Sequence, residues 1–443
     1  MLDFEPPRER VFHLPVSLKV KTDVTWIREK RITYSAAVER YQSMEKHAHS
    51  HSHGHVHSHN HVLAGDGQTS RRDFLKVLMG GALAGASILE LAYHRAAWAR
   101  TAAPSDANLF NIQKVAEGIY FAQARPQAMI NCNAAIFVRS KDVVVVDTHS
   151  KPSAAASLIS QIKREVTTKP VRYIVNTHFH WDHTQGSHAY RASGEKVDFI
   201  ASAATKDLME KLSVVRMKAS VGEVPKQLDA LREQGAKAAS AAEKAFCAEQ
   251  IRQLQAYQEE LKNYTPELPT ITFDKTYLLQ DPAHDLHIEF HGHAHTAGDV
   301  FVYCPQSRVV ATGDVIHGFL PFIADGFPRV WPGTIDSIGQ ADFNTIMPGH
   351  AALQTGRTAM TSLRNYIEEL TGKVADGRKA GLSVAEMQQR FTVASLKSLH
   401  SNGYEAYLAR MSALSYSRFA KTPPLQDGVN VNIGEIYNNL DRD

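Results

Sequence analysis

The 443-residue chain contains 43% hydrophobic and 21% charged residues, ordinary values for a soluble globular protein of one large domain or two to three smaller ones. Its formal net charge of only +3 gives no indication of a nucleic-acid-binding surface, so we expect no nucleic-acid partner. Three cysteines, Cys132, Cys247 and Cys304, exclude a disulfide framework and are interpreted as small apolar core residues.

Residues 1–69 are predicted to form a disordered, histidine-rich leader. Eight of the 23 histidines alternate with other residues between His47 and His61. Such a tract binds divalent metal weakly, and we do not expect it to belong to an active site. Residues 1–43 have no core pattern, and we hypothesise that translation starts at Met44.

Residues 70–99 have the three parts of an export signal. Arg71 and Arg72 precede the apolar stretch Val77–Leu89, and Ala97-Trp98-Ala99 follows as a cleavage site. The segment resembles a twin-arginine (Tat) signal at every fixed position of S-R-R-x-F-L-K. Thirteen apolar residues are fewer than the roughly 20 of a spanning helix. We therefore expect Tat-dependent export to the bacterial periplasm and no stable membrane anchor, with a retained signal anchor as the alternative.

The remainder of the chain alternates apolar strands and helices. Two successive runs of strands, each closed by helices, predict an α/β fold of the αββα sandwich type over residues 100–352. Residues 353–443 are predicted to form a helical region packed on that domain. The predicted strands include Gly118–Phe121, Ala134–Val138, Val143–Val146, Val171–Val175, Ile271–Leu279, Leu286–Phe290, Val300–Tyr303 and Arg308–Ala311.

Residues 204–264 interrupt this rhythm and are predicted to form a helical insert. They are rich in Ala, Lys, Glu and Gln, and Cys247, Ile251, Leu254, Gln258 and Leu261 follow helical spacing. We interpret the insert as a long helix or helical hairpin that serves packing or oligomerisation, with a lid over the active site as the alternative.

The sequence Thr177-His178-Phe179-His180-Trp181-Asp182-His183 directly follows the strand Val171–Val175. Extended backbone can direct alternate side chains to the same side, so these imidazoles and the carboxylate can converge. Three further candidates each follow a later strand, at His295, Asp314 and His350. His291 and His293 are interpreted as neighbours of the site. Imidazoles and carboxylates in this mixture suit zinc, with iron or manganese as alternatives.

These residues resemble the metallo-β-lactamase superfamily, whose pattern is H-x-H-x-D-H followed by His, Asp and His. The resemblance implies a first metal held by His178, His180 and His295, and a second held by Asp182, His183 and His350. It also implies that Asp314 bridges the two ions and that Asp147 has a supporting role. An aspartate at position 314 resembles glyoxalase II and lactonases rather than the β-lactamase branches.

Together these features predict an exported hydrolase with two Zn²⁺ ions and a metal-bridging hydroxide that attacks an ester, thioester, lactone or related bond. Asp182 is also the candidate catalytic residue, since it can orient the hydroxide and carry a proton. Phe319 and Phe322 lie in an apolar segment that we expect to contact a small-molecule substrate. The alternatives are a class B β-lactamase, a mononuclear iron dioxygenase of the persulfide type, and a metal-binding protein without turnover.

Overall fold

The computed structural model describes residues 109–125, 132–194, 196–415 and 424–442. The predicted leader (1–69) and export signal (70–99) lie outside these residues. Among the described helices, none combines the length and the apolar character that a membrane crossing requires.

Seven strands form the first sheet, in which spatial order follows chain order. Neighbouring strands are antiparallel from β1 to β4 and parallel from β4 to β7. The strands are β1 (Phe110–Ala116), β2 (Ile119–Ala124), β3 (Ala134–Val138), β4 (Val143–Val146), β5 (Val171–Val175), β6 (Asp198–Ser202) and β7 (Ile271–Phe273). Helix α1 (Pro152–Gln161), with a π-helical turn at Ile162–Val166, connects the parallel strands β4 and β5. The short helices α2 (Trp181–Thr184) and α3 (Ser187–Ala192) lie between β5 and β6.

The second sheet has six strands in the order β13-β12-β11-β10-β9-β8. Its strands are β8 (Thr276–Leu279), β9 (Leu286–Glu289), β10 (Phe301–Cys304), β11 (Val309–Gly313), β12 (Thr345–Pro348) and β13 (Gln354–Thr355). Only the pair β11 and β12 is parallel among the described strands of this sheet, and helix α6 (Trp331–Ile338) lies between them in the chain. The run Ile271–Leu279, predicted as one strand, is two strands, because the chain passes from the first sheet to the second at Asp274 and Lys275.

The main core lies between the two sheets. Along β3, Ala135 and Phe137 pack toward the second sheet, whereas Ala134 and Ile136 pack against the outer helices. This alternation is the period of two that a strand imposes on its side chains. Because both faces of the sheet are buried at β3, all of its residues are apolar. Two sheets face to face with helices outside them confirm the predicted αββα sandwich.

The helical insert is a hairpin of α4 (Ala203–Lys237) and α5 (Ala241–Glu260). The Ser202 and Ser240 side chains cap the two helices by accepting hydrogen bonds from the backbone N–H groups of Thr205 and Glu243. Val224 and Leu231 of α4 pack in one buried cluster with Leu254 of α5. Trp181, from α2 of the sandwich, belongs to the same cluster, so the hairpin packs on the segment that carries the candidate ligands.

Five α-helices follow the second sheet among the residues that the structure describes. They are α7 (Thr358–Lys379), α8 (Val384–Arg390), α9 (Lys397–His400), α10 (Tyr404–Ser415) and α11 (Leu425–Asn439). Leu363 of α7 and Ile433 of α11 share a buried cluster with Phe301 and Val310, which face away from the first sheet. The C-terminal helices therefore form the outer layer on the second sheet.

Helix α11 also holds the 315–330 loop, which connects β11 to α6. The Asn432 amide donates to the Pro321 carbonyl oxygen over 2.8 Å and accepts from the Tyr366 hydroxyl over 2.9 Å. The Asn439 amide donates to the Ile323 carbonyl oxygen over 2.8 Å, and the Glu435 carboxylate accepts from the Ile323 N–H over 2.9 Å. These contacts fix the loop from its outer side.

The substitution Asn432→Ala should lower the free energy of unfolding by about 1–3 kcal/mol, since it leaves the buried Tyr366 hydroxyl and the Pro321 carbonyl without partners. Urea unfolding followed by circular dichroism measures this change. The neighbouring Val431 is 55% exposed, so Val431→Ala should change the same quantity by no more than about 0.5 kcal/mol. Equal losses in the two variants would contradict this role of Asn432.

Candidate metal centre

The structure brings all seven predicted ligands together at one end of the sandwich. His178 and His180 follow β5, Asp182 and His183 lie in α2, and each of the other three follows a strand of the second sheet. All seven are buried, with exposures between 0% for His178 and 8% for His350. Among the described residues, five overlapping groups of three have donor atoms that all lie within 4.8 Å of one another. Together these groups include all seven residues.

Asp147 ties the end of β4 to the ligand segment. Its carboxylate accepts hydrogen bonds from the Thr177 N–H over 2.8 Å, from the Thr177 hydroxyl over 2.9 Å and from His183 Nδ1 over 2.7 Å. Asp147 has a φ of 67°, a left-handed conformation that aspartate tolerates better than most residues. The bond to Nδ1 leaves His183 Nε2 as the nitrogen that points into the site.

Three imidazoles form the first group. His180 Nδ1 lies 2.9 Å from His295 Nε2, and the His178 ring lies edge-on to both, with ring centres 4.7 and 4.8 Å apart. The other nitrogen of each ring has a protein partner outside the group. His178 Nδ1 contacts the Thr177 hydroxyl at 3.0 Å, His180 Nε2 contacts Asp325 at 2.8 Å, and His295 Nδ1 contacts the Phe322 carbonyl oxygen at 2.9 Å. Each ring thus has one nitrogen for the protein and one for the site.

Asp182, His183 and His350 form the second group. His350 Nε2 lies 3.0 Å from Asp182 Oδ2 and 3.3 Å from His183 Nε2. Asp314 lies between the groups: its Oδ2 is 3.6 Å from His295 Nε2 and 3.3 Å from His350 Nε2, and its Oδ1 is 3.5 Å from His183 Nε2. One carboxylate therefore reaches both groups, as bridging of two ions would require.

The pKa shifts of four of these groups suit cation binding. Burial, together with the neighbouring imidazoles, lowers the pKa of His178 and of His295 well below the ordinary value. Burial opposes the charge of Asp314, but His350, His317 and His183 outweigh it and hold its pKa well below the ordinary range. For Asp182, burial is likewise outweighed by His183 and His350, and its pKa is lowered. Neutral imidazoles and ionised carboxylates are the forms in which these side chains bind metals. At His183 burial opposes the charge, but the neighbouring carboxylates of Asp314, Asp147 and Asp182 outweigh it and raise the pKa, so a proton leaves this imidazole when an ion binds.

Two buried atoms test whether the residues fit a metal. His178 Nε2 and Asp314 Oδ1 have no hydrogen-bond partner among the described residues. Buried polar atoms usually have a partner, and both atoms face the space between the donor groups. The mixed nitrogen and oxygen donors fit a divalent ion such as zinc.

The thiol of Cys132 lies beside the centre, in one donor group with Asp147 and His183. Burial raises the pKa of Cys132 to about 12, so the group stays a thiol at neutral pH. Cys132 is fully buried, in agreement with the prediction of a core cysteine. All three cysteines of the chain are buried and none is in a disulfide.

His317 is a site residue that the sequence analysis did not identify as one. Its Nε2 lies 3.1 Å from Asp314 Oδ2, and it forms a donor group with His295 and Asp314. Its position in the sequence, three residues after Asp314, could have indicated that it lies near the site. His291 and His293 lie outside the donor groups of the described residues, as expected: His291 contacts Glu289 at 2.7 Å, and His293 packs on Phe327.

Gly349 lets the chain pass close to the donors. A Cβ at this position would collide with Asp314 Oδ1 and lie 2.9 Å from His183 Cε1. Gly313, with a φ of 51°, is similarly constrained, since a Cβ there would lie 2.6 Å from the Thr177 Cβ. Gly349 keeps space for two donors, and Gly313 lets the end of β11 lie close to Thr177 of the first sheet.

The substitution Gly349→Ala should weaken divalent metal binding by about 10–100-fold, because Asp314 and His183 must move to admit the methyl group. Chelator competition and elemental analysis of the purified protein measure the effect. Gly372→Ala is the matched control, since a Cβ there meets no atom within 4 Å. Metal binding by Gly349→Ala that equals that of the control would contradict the assignment.

Three solved structures resemble the chain at low sequence identity. A metallo-β-lactamase from Pontibacter korlensis is 18% identical and covers 58% of this chain and 98% of its own, with a TM-score of 0.42. The stereoselective inverting sec-alkylsulfatase Pisa1 from Pseudomonas sp. is 17% identical and covers 74% of this chain and 50% of its own, with a TM-score of 0.50. The mono-zinc form of the metallo-β-lactamase FIM-1 from Pseudomonas aeruginosa is 16% identical and covers 60% of this chain and 98% of its own, with a TM-score of 0.43.

At these identities the likeness concerns the fold alone. The family model described as the metallo-beta-lactamase superfamily matches residues 129–350, which is half of the chain and includes all seven clustered donors. The chain therefore belongs to the metallo-β-lactamase superfamily.

Proposed function

We propose that the chain is a hydrolase that uses two divalent ions, zinc by the character of its donors. His178, His180 and His295 would hold the first ion, and Asp182, His183 and His350 the second, with Asp314 shared between them. The observation that carries this proposal is the arrangement of the imidazoles: His178, His180, His183 and His295 each bind the protein through one nitrogen and direct the other into the same space.

Bound ions of this kind supply Lewis acidity, which activates water at neutral pH and polarises the oxygen of the bond to be cleaved. Asp182 is ionised, and its carboxylate can orient the attacking water and accept its proton. His317 Nε2, 3.1 Å from Asp314 Oδ2, adds a further imidazole beside the shared carboxylate. The burial of the centre strengthens these interactions, because few water molecules compete for these groups.

Apolar and aromatic groups border the centre on the side of the 315–330 loop. The Phe322 ring lies 5.6 Å from the His180 ring, and the Trp331 ring lies 5.6 Å from the His295 ring. Phe319, in the same loop, is 9% exposed. Arg216, a cation near His180, is paired with Asp325, so it offers little charge to an anionic substrate. These features favour a small or amphipathic ester, thioester or lactone.

Metal analysis combined with a hydrolysis panel tests the reaction class. We expect about two zinc ions per chain, turnover of an ester, thioester or lactone, and a fall in kcat of about 10²–10⁴-fold in Asp182→Asn. The panel includes a β-lactam and a secondary alkyl sulfate, the substrate type named for the sec-alkylsulfatase that shares the fold. One iron per chain with consumption of oxygen would support the dioxygenase instead, and turnover of the β-lactam alone would support the β-lactamase.

The same preparation checks the proposed export through the segment at residues 70–99. Protein from the periplasmic fraction should begin after Ala99 when its mass is measured. A cytoplasmic product that keeps the histidines between His47 and His61 would contradict export.

The substitution Phe322→Ala should raise KM for the substrate found in the panel by about tenfold or more, since it removes an apolar wall beside the first donor group. The backbone carbonyl that contacts His295 remains in this variant, so metal content should not change. Phe391→Ala is the control, because Phe391 packs among the C-terminal helices. Steady-state kinetics decide the matter, and an unchanged KM in Phe322→Ala would exclude this wall from the substrate site.

A further inference from the structure

We propose that Arg216, a residue of the helical insert, is a positioning residue of the metal centre that acts on His180 through Asp325. The proposal rests on the proposed function, since it assumes that His180 binds a metal. It gives the insert a role in the site that neither packing nor oligomerisation requires.

The three side chains form a continuous chain of hydrogen bonds. Arg216 donates to both oxygens of Asp325, from Nη1 to Oδ2 over 2.5 Å and from Nη2 to Oδ1 over 2.6 Å. Asp325 Oδ2 also accepts from His180 Nε2 over 2.8 Å. A bidentate pair fixes the plane of the carboxylate, and the carboxylate fixes the direction of the His180 ring.

This arrangement determines which nitrogen of His180 is available to a metal. A hydrogen on Nε2, donated to Asp325, leaves the lone pair on Nδ1, which lies 2.9 Å from His295 Nε2 inside the first donor group. A carboxylate behind a metal-binding imidazole sets its tautomer and raises its basicity. Asp325 can do this only as an anion, and Arg216 provides the compensating positive charge.

The Arg216–Asp325 ion pair is largely buried, so the loss of either partner leaves the other charge with little solvent to stabilise it. The side chains of Arg216 and Asp325 are 14% and 11% exposed, and the His180 side chain is 3% exposed. The hydrogen bonds from Arg216 and His180 are the contacts that compensate the burial of the Asp325 carboxylate. Without Arg216, this carboxylate would lack its main counter-charge in a largely dry environment.

A second contact places Arg216 against the ligand segment itself. The Arg216 guanidinium carbon lies 4.9 Å from the centre of the Phe179 ring, and Phe179 separates His178 from His180 in the chain. The guanidinium therefore touches both the partner of His180 and the residue before it. Helix α5 adds another contact, since the Tyr257 hydroxyl donates to the Gln185 amide oxygen over 3.3 Å just beyond the segment.

Lysine should replace arginine poorly at this position. A lysine ammonium is a point charge that can satisfy one carboxylate oxygen well, whereas the planar guanidinium matches both oxygens and also stacks on an aromatic ring. Arg216→Lys thus keeps the charge but loses the fixed geometry, which separates positioning from simple charge compensation.

The experiment measures metal binding in Arg216→Met, Arg216→Lys and Asp325→Asn, with Arg232→Met as the control. Arg232 lies on the same helix and pairs with Asp229 on an exposed surface. The measurements are chelator competition for the tighter-bound ion, the visible absorption spectrum of the Co²⁺-substituted protein, and kcat/KM.

We expect Arg216→Met and Asp325→Asn to weaken binding by about 10–100-fold and to alter the Co²⁺ spectrum. Arg216→Lys should lie between these variants and the wild type, and Arg232→Met should match the wild type. The double variant Arg216→Met/Asp325→Asn should lose no more than Asp325→Asn alone, because the two residues act on His180 in series.

Wild-type affinity and spectrum in Arg216→Met would overturn the proposal, even if Asp325→Asn is impaired. If Arg216→Met does not fold, Arg216→Lys decides, and wild-type binding in that variant overturns the proposal. A wild-type protein that binds no divalent metal would overturn the proposed function and this role together, which distinguishes the two failures.

Discussion

The carboxylate of Asp147 connects the fold to the chemistry, because it joins the ends of two parallel strands to the ligand segment. It accepts two hydrogen bonds from Thr177, the residue that follows β5 by two positions, and one from His183. The left-handed backbone at Asp147 costs about 1–3 kcal/mol, which bonds to a buried carboxylate can offset. Asp147 fixes the direction of the His183 ring, while the Thr148 hydroxyl and the Asn176 amide hold the His183 carbonyl oxygen.

Each imidazole of the first group also needs a hydrogen-bond partner for the nitrogen that faces away from the site. These partners link distant parts of the chain to the metal centre. The 315–330 loop supplies two of these partners, Asp325 for His180 and the Phe322 carbonyl for His295. Helix α11 fixes that loop from outside through Asn432, Glu435 and Asn439. Neither the C-terminal helices nor the insert carries a predicted ligand. Both nevertheless bind the 315–330 loop, whose residues contact the ligands His180 and His295.

Sequence reasoning predicted the part of the site that is local in the chain. The segment from His178 to His183 follows an apolar strand, and each later donor follows another, so the strand pattern alone placed seven residues at strand ends. The partners behind them could not be predicted in this way. Asp325 is 145 residues from His180, and Arg216 is 109 residues from Asp325, and no periodic pattern relates such positions.

The insert shows the same limit in another form. Its helical spacing indicated which side of α5 is buried, but amphipathicity does not say against what a helix packs. The prediction of one strand at Ile271–Leu279 was wrong for a related reason. Both β7 and β8 are apolar, and only their pairing with other strands assigns them to different sheets. Local pattern therefore predicted the elements, while long-range contacts decided their partners.

The distribution of donors between the sheets has a consequence for stability. His178, His180, Asp182 and His183 follow a strand of the first sheet, whereas His295, Asp314 and His350 follow strands of the second. The first group (His178, His180 and His295) and the second group (Asp182, His183 and His350) each contain residues from both sheets. Ions held as proposed would therefore join the two halves of the sandwich, and the free energy of metal binding would add to that of folding. The αββα arrangement thus does more than carry the centre, since binding at the centre would also secure the contact between its sheets.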